Sequence, residues 1–123
     1  MLSLAAAARA EVPIEPGATA TIRLSPQGEL AYPIAPRPPH APANHGAILS
    51  VDIDEPGRYH VALDVPGRVD VIRDGKAVQP VGDRPGEAGS GAAAILDFDL
   101  PSGRYTIALS EMLAGTAGVT ISR

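Results

Sequence analysis

The sequence predicts an all-β fold, a single antiparallel β-sandwich of about eight strands in a jelly-roll-like or Ig-like arrangement. One reason is a stretch used twice. Residues 47–64 reappear as 94–110, and in both copies apolar residues fall on alternate positions on either side of a short turn. A second reason is composition, because thirteen Gly and thirteen Pro with only four Phe and Tyr side chains indicate many short segments joined by tight turns.

The chain is long enough for one domain with its own core, which we expect over residues 11–123. Residues 1–10 are expected to be the remnant of a truncated secretory signal peptide, since they are mostly apolar and end in the A-x-A pattern Ala8-Arg9-Ala10. A frayed or helical tail is the alternative. The signal peptide predicts a periplasmic or secreted protein.

The N-terminal third contains two predicted strands and a proline-rich crossing. Residues 18–24 alternate Ala, Ile and Leu with Thr and Arg, which predicts the first strand. A second strand is expected at 30–34, where Pro33 restricts it to a sheet edge or ends it early. Residues 35–46 hold four prolines and predict an extended crossing on the surface.

The rest of the chain alternates in the same way between turns. Asp74-Gly75 is the strongest turn signal, because a two-residue type I′ hairpin needs positive φ at both positions. Residues 80–91 have no periodicity and predict a Gly- and Pro-rich loop, whereas 111–115 predict a turn or a single helical turn. Strands are expected at 47–53, 58–64, 68–73, 76–79, 93–100, 104–110 and 116–122.

Each copy of the repeat reads as strand, turn and strand. Gly-Arg-Tyr begins the second strand of both copies and places Tyr59 and Tyr105 at corresponding positions. We therefore expect two similar core hairpins related by a pseudo-twofold axis, with both rings buried and each hydroxyl at a backbone group or the rim. The repeat contains no reaction chemistry, so it predicts scaffold.

Composition narrows the classes of partner. The net charge of -4 and the lack of any run of Lys or Arg argue against a nucleic acid partner. No apolar run approaches the roughly 20 residues that a membrane-spanning helix needs. The absence of Cys excludes disulfides, thiolate metal sites and thiol nucleophiles, and it is compatible with both cytosol and periplasm.

Five residues are candidates for a divalent metal site. His40, His45 and His60 are all the histidines in the chain, and Asp52 and Asp54 lie in an acidic turn. Zinc and non-haem iron centres combine imidazoles with a carboxylate, and calcium takes several oxygen ligands. The alternative is a set of exposed histidines and of acidic residues that keep the outer face of a strand solvated.

The order of segments resembles that of bacterial pre-peptidase C-terminal domains. The resemblance is carried by the hairpin Val71-Ile72-Arg73-Asp74-Gly75-Lys76 and by the later stretch from Leu100 to Ile107. It covers roughly residues 18–123 and is closer still to small secreted β-sandwich proteins of sphingomonad-type α-proteobacteria. Proteins of that group are often labelled homogentisate 1,2-dioxygenase, which implies iron held by two His and a carboxylate. Their His-Gly-His-Gly-Pro-x-Cys phrase has no counterpart in 81–89.

The sequence therefore predicts a non-enzymatic, periplasmic or secreted binding or accessory module, whose partner is a protein, an envelope component or a carbohydrate. No catalytic or cofactor-binding residue is predicted, because the chain has neither a G-x-S-x-G elbow nor a Gly-rich phosphate loop before a helix. The alternative is a metal-dependent enzyme that uses the five candidate ligands.

Overall fold

The computed structural model describes residues 12–26, 45–85 and 93–123. The signal-like residues 1–10, the predicted strand at 30–34, most of the proline-rich crossing and His40 lie outside these ranges. The described residues form eleven strands: β1 Val12–Ile14, β2 Thr19–Arg23, β3 Ser25–Pro26, β4 His45–Ile53, β5 Gly57–Leu63, β6 Arg68–Arg73, β7 Lys76–Val78, β8 Gly82–Pro85, β9 Ala94–Leu100, β10 Gly103–Met112 and β11 Thr116–Ser122.

The strands form two packed sheets, which confirms the predicted β-sandwich. Sheet I has the order β1-β4-β10-β6-β7, and β3 also pairs with β4. Sheet II has the order β2-β11-β5-β9-β8. All pairs are antiparallel except β1 with β4. The inward residues of both sheets form one apolar core, in which Leu49, Val61 and Leu109 are fully buried.

The described part of the chain has more strands than the eight expected, because three strands are too short or too irregular to be recognised from alternation. Those three are β1, β3 and β8. Strand β8 lies inside the segment 80–91 that predicted a loop, and 86–91 lies outside the described residues. Strand β10 continues to Met112 through a register shift, where a turn was expected. The predicted Asp74-Gly75 turn is confirmed by φ angles of 52° and 76°.

The two copies of the repeat are not hairpins, and this prediction was wrong. Copy one supplies β4 to sheet I and β5 to sheet II, whereas copy two supplies β9 to sheet II and β10 to sheet I. Strand β4 pairs with β10, and β5 pairs with β9. Each copy is therefore an arch that crosses between the sheets. The arch is favoured because the apolar faces of its two strands both point into the core.

The pairing is nevertheless pseudo-twofold symmetric, as predicted. Tyr59 lies opposite Phe98 in sheet II, and Tyr105 lies opposite Val51 in sheet I. Phe98 and Val51 also correspond to each other in the repeat. Both tyrosines are buried, with exposed fractions of 3% and 1%. The symmetry exchanges the two sheets.

The surroundings of the two tyrosines match in two contacts and differ in one, because the Tyr105 hydroxyl also accepts from the Arg73 Nη1 at 3.1 Å whereas Arg123 donates to Glu55. The Tyr59 hydroxyl donates to the carbonyl of Glu55, and the Tyr105 hydroxyl donates to that of Pro101, both at 2.6 Å. In each case the acceptor lies four residues earlier in the chain. An arginine covers each ring: the guanidinium carbon lies 5.7 Å from the Tyr59 centroid for Arg123 and 5.4 Å from the Tyr105 centroid for Arg73.

The symmetry extends to the neighbouring strands. Val69 of β6 lies opposite Leu109, and Val119 of β11 lies opposite Leu63, the residue that corresponds to Leu109. Thus β6 corresponds to β11, and their outer neighbours β7 and β2 correspond to each other. None of the described segments is a helix, so none has the length and apolarity of a membrane-crossing helix.

Candidate functional site

A cleft of about 640 Å³ opens at one edge of the sandwich, and we take it as the candidate site. It lies between β6 and β7 of sheet I and β8 and β9 of sheet II. Strand β7 ends at Val78, and the chain then crosses through 79–81 to β8. The two sheets therefore diverge here around the crossing segment. The volume falls in the range of roughly 300–1,000 Å³ that is typical of ligand pockets.

Apolar side chains form part of the floor of the cleft. Val69 and Phe98 belong to the core, and Val78 and Leu96 pack against the core while remaining partly exposed. Partly exposed aliphatic side chains at an open edge can bury more area when a ligand binds. Each square ångström of apolar surface removed from water contributes about 25 cal/mol.

The rim of the cleft is mostly acidic. Among the described side chains, Asp70, Asp83 and Glu111 line it together with the cation Arg68. The Arg68 Nε donates to the Asp70 carboxylate at 3.2 Å, with both side chains about one-third exposed. Three carboxylates and one guanidinium give the lining a negative charge, which favours a ligand that carries positive charge.

A strained residue lies in the wall of the cleft. Glu111 has a φ of 58° and occupies the register shift between Leu109 and Met112. For a residue other than glycine this conformation costs about 1–2 kcal/mol. Such bulges bend a strand and re-aim side chains next to binding sites. Gly67 adjoins it, and a Cβ at this position would overlap the Met112 side chain.

The predicted metal ligands that the structure describes do not come together. His45 begins β4 and Asp52 lies seven residues further along the same strand, which is roughly 23 Å at 3.3 Å per residue. Asp54 is exposed just after β4, and His60 lies on β5 in the other sheet. The described residues contain no group of three or more His, Asp or Glu side chains placed to hold a metal ion.

The His45 Nδ1 is buried and has no hydrogen-bond partner among the residues that the structure describes. With His40 outside the described ranges, metal binding stays a prediction. Elemental analysis of protein purified without chelator is its direct test.

Asp52 is engaged in a pair that the repeat duplicates. The Arg104 Nε donates to Asp52 at 3.0 Å, and the Arg58 Nε donates to Asp99 at 2.9 Å. The hydrogen bond from the arginine, more than its charge, lowers the pKa of each carboxyl below the ordinary value. Both pairs are exposed, so they contribute little to stability.

On the outer face of sheet II, His60 pairs with Asp97, and the repeat does not duplicate this pair in sheet I. The His60 Nδ1 lies 2.5 Å from the Asp97 Oδ1, with the side chains 33% and 17% exposed. The corresponding cross-strand pair in sheet I is Thr106 and Ser50. A carboxylate that orients a histidine is one part of a general-base arrangement. Neither residue lines the cleft, and within the described residues the contact joins β5 to β9.

Asp97 also contacts the strand at the sheet edge. A Cβ at Gly82 would lie 2.7 Å from the Asp97 Oδ2, so glycine allows β8 to approach β9. Asp97 thus contacts β5 through His60 and β8 through Gly82, and these contacts support the strands β8 and β9 that form one wall of the cleft.

A smaller cavity of about 290 Å³ lies at the opposite corner. Asp52 and Asp54 line it with Tyr59 and Arg123. The Arg123 Nη1 donates to a carboxylate oxygen of Glu55 at 3.2 Å, so a cation already balances part of this acidic corner. The larger cleft is therefore the stronger candidate.

Sequence reasoning missed the cleft residues. Asp70, Asp83 and Glu111 are isolated in the sequence, and no spacing relates them. Comparisons with protein-family models, with curated proteins and with solved structures find no match to this chain. The resemblance to pre-peptidase C-terminal domains thus stays a prediction.

Proposed function

We propose that the protein is a non-enzymatic binding module of the periplasm or the extracellular space, and that its ligand occupies the cleft between β6–β7 and β8–β9. The observation that supports this function is the combination of a partly exposed apolar floor, at Val78 and Leu96, with an acidic rim. In ligand pockets, apolar side chains provide buried area and polar groups orient the ligand. The strained Glu111 in the wall adds support, because strain is concentrated at functional sites.

The test is a binding screen with a blocked variant. Panels of extended peptides and of neutral oligosaccharides are added to the protein, and the melting temperature and the amide chemical shifts are recorded. A ligand of the native state raises the melting temperature in a concentration-dependent way. The variant Ala94→Trp places an indole in the cleft, where Ala94 is partly exposed. The control Ala18→Trp changes an exposed residue of the turn before β2.

We expect a member of one panel to bind the native protein and Ala18→Trp, but not Ala94→Trp. Shift changes should be confined to β6, β7, β8 and β9 and to the bulge at Glu111. The proposal fails if neither panel contains a ligand, or if binding survives Ala94→Trp unchanged.

A further inference from the structure

One edge of β6 is open within the cleft. Strand β7 pairs with β6 only from Lys76 to Val78, and its last residue lies opposite Val71. Strand β6 continues for three more residues to Arg68. In the ranges 12–26, 45–85 and 93–123, no strand pairs with this continuation on the β7 side.

The open edge presents backbone groups to the cleft. Arg73 and Lys76 close the two-residue turn and so form a hydrogen-bonded pair. Because such pairs alternate along an antiparallel ladder, Val71 and Val69 also direct their N–H and C=O groups toward the β7 side. Val69 therefore offers one donor and one acceptor to whatever enters the cleft.

In sheet II the corresponding edge, that of β11, is paired with β2, and β2 therefore shows which kind of segment can complete such an edge. There β2 pairs with the stretch of β11 that corresponds to the open part of β6. Ala20 lies opposite Val119, the counterpart of Val69, and Ile22 lies opposite Ala117. The side chains of Ile22 and Leu24 are each only 6% exposed. An extended segment with apolar residues at every second position thus completes this edge of the sandwich.

Charge adds a further requirement. Among the described side chains that line the cleft, Asp70, Asp83 and Glu111 are acidic and Arg68 is basic. A segment that enters between these residues is favoured when it carries a Lys or Arg.

We infer that the cleft takes an extended segment of a partner protein, which adds as a strand to β6 and places alternate aliphatic side chains over Val78, Leu96 and Phe98. The segment carries a basic residue for the acidic rim. Strand addition of this kind obtains affinity from main-chain hydrogen bonds and specificity from alternate side chains. The inference rests on the proposed function, since it identifies the ligand of that same cleft.

The probe is a synthetic peptide with the sequence of residues 19–25, Thr-Ala-Thr-Ile-Arg-Leu-Ser. It begins at residue 19 because a residue before it would take the position of Val78 opposite Val71. We expect saturable binding by calorimetry, with amide shift changes at Val69 and Leu96. N-methylation of the peptide residue that corresponds to Ala20 removes the donor that faces β6, and we expect about tenfold weaker binding. The matched control is N-methylation at the residue that corresponds to Thr21, whose N–H points away from β6, and it should leave affinity unchanged.

A protein variant tests the charge requirement. Asp83→Lys reverses an exposed rim charge and should weaken peptide binding by several-fold. The control Asp54→Lys reverses an exposed charge outside the cleft and should not weaken it.

Five results would overturn the inference. Equal affinity of the two N-methylated peptides would exclude pairing with β6. Shift changes at β11 would mean that the peptide replaces β2. Dimers that Ala94→Trp abolishes would assign the cleft to a second copy of this chain. Oligosaccharide binding without peptide binding would refute strand addition and leave the proposed binding function intact. No binding of either class would refute both.

Discussion

Two corresponding edges of the sandwich differ in how they are completed. In sheet II, β2 covers β11 from Thr120 to Thr116, whereas in sheet I, β7 covers only the last three residues of β6. The difference follows from the connections. Strand β2 receives its connection from sheet I at its N-terminal end and is free to continue to Arg23. Strand β7 begins at a tight turn and leaves for sheet II at its C-terminal end. The cleft is the space that this early departure opens.

The comparison shows that duplicated residues form scaffold and that unmatched residues form the candidate site. The tyrosines, their arginine neighbours and the Arg–Asp pairs occur twice in equivalent contacts. The rim residues Asp83 and Glu111 have no counterpart of this kind in the repeat.

The largest expected effect is in the symmetric core. Tyr59→Ala and Tyr105→Ala should each lower the free energy of unfolding by about 3–5 kcal/mol, as truncation of large buried aromatic residues does. Because both rings are buried and both hydroxyls donate to a carbonyl four residues earlier, the two losses should agree within about 1–2 kcal/mol. The larger loss is expected at Tyr105, whose hydroxyl also accepts from Arg73. Denaturant unfolding monitored by circular dichroism gives both values.

The matched controls are Tyr59→Phe and Tyr105→Phe. Each keeps the ring and removes the hydroxyl that donates to a carbonyl four residues earlier, which should cost about 1 kcal/mol at Tyr59. Tyr105→Phe should cost somewhat more, because it also removes the acceptor of the Arg73 Nη1. A loss several times larger at one tyrosine than at the other would break the symmetry.

Most of the strand positions could be predicted because alternation of apolar residues depends on burial of one face. The segments 68–73 and 116–122 match β6 and β11 residue for residue. The arches could not be predicted from alternation, because it states which side chains point inward and not which strand is the neighbour. A signal existed in the charges: Arg58 lies opposite Asp99, and Arg104 lies opposite Asp52, so bases of one copy face acids of the other.

The candidate site was much less predictable. Strand β8 contains Gly and Pro and has no alternation, so its pairing depends on the close approach of Gly82 to Asp97. The positive φ of Glu111 has no local signature, since glutamate is not a residue that favours that conformation. The cleft arises from the length of β7 relative to β6, which is a property of the assembled sheet.

A smaller loss of stability should distinguish the edge of β11 in sheet II from the edge of β6 in sheet I. Gly118 of β11 corresponds to Arg68 of β6, and its N–H donates to the Asp64 Oδ1 at 2.7 Å. A Cβ there would lie 2.7 Å from the other carboxylate oxygen, so Gly118→Ala displaces Asp64 and should cost about 1–2 kcal/mol. Arg68→Ala at the open edge should cost no more than about 1 kcal/mol.

The measurement is again equilibrium unfolding, now with Asp64→Ala added. If Asp64 is the cause, the double variant Asp64→Ala, Gly118→Ala should be no less stable than Asp64→Ala alone. Equal losses at Gly118 and Arg68 would mean that both edges are closed to the same degree.

The pair of His60 and Asp97, which the repeat does not duplicate, should show a coupling free energy of about 1 kcal/mol. A double-mutant cycle with His60→Thr and Asp97→Ser converts this pair toward its counterpart in sheet I, Thr106 and Ser50. The same cycle with Thr106→Ala and Ser50→Ala is the control and should give a smaller value, because those side chains are uncharged. A coupling near zero for His60 and Asp97 would show that their contact does not support the cleft wall.

The smallest effect concerns the duplicated ion pairs and depends on pH. The folded-state pKa of Asp52 and of Asp99 is lower than the ordinary value of 3.8, chiefly because an arginine donates a hydrogen bond to the carboxylate. Each pair therefore stabilises the folded state fully above about pH 3.8, and this contribution is lost as the pH falls through the lower folded-state pKa.

Arg104→Met and Arg58→Met should each lower stability slightly at pH 7, and the difference from the native protein should disappear in acid. The control Arg23→Met removes an exposed guanidinium of β2 and should show a different pH profile. Urea unfolding between pH 7 and pH 2 provides the comparison. The two pairs occupy equivalent positions and are both exposed, so their profiles should coincide. A pH-dependent loss at only one pair would mean that the symmetry of the backbone pairing does not extend to the electrostatics of its outer face.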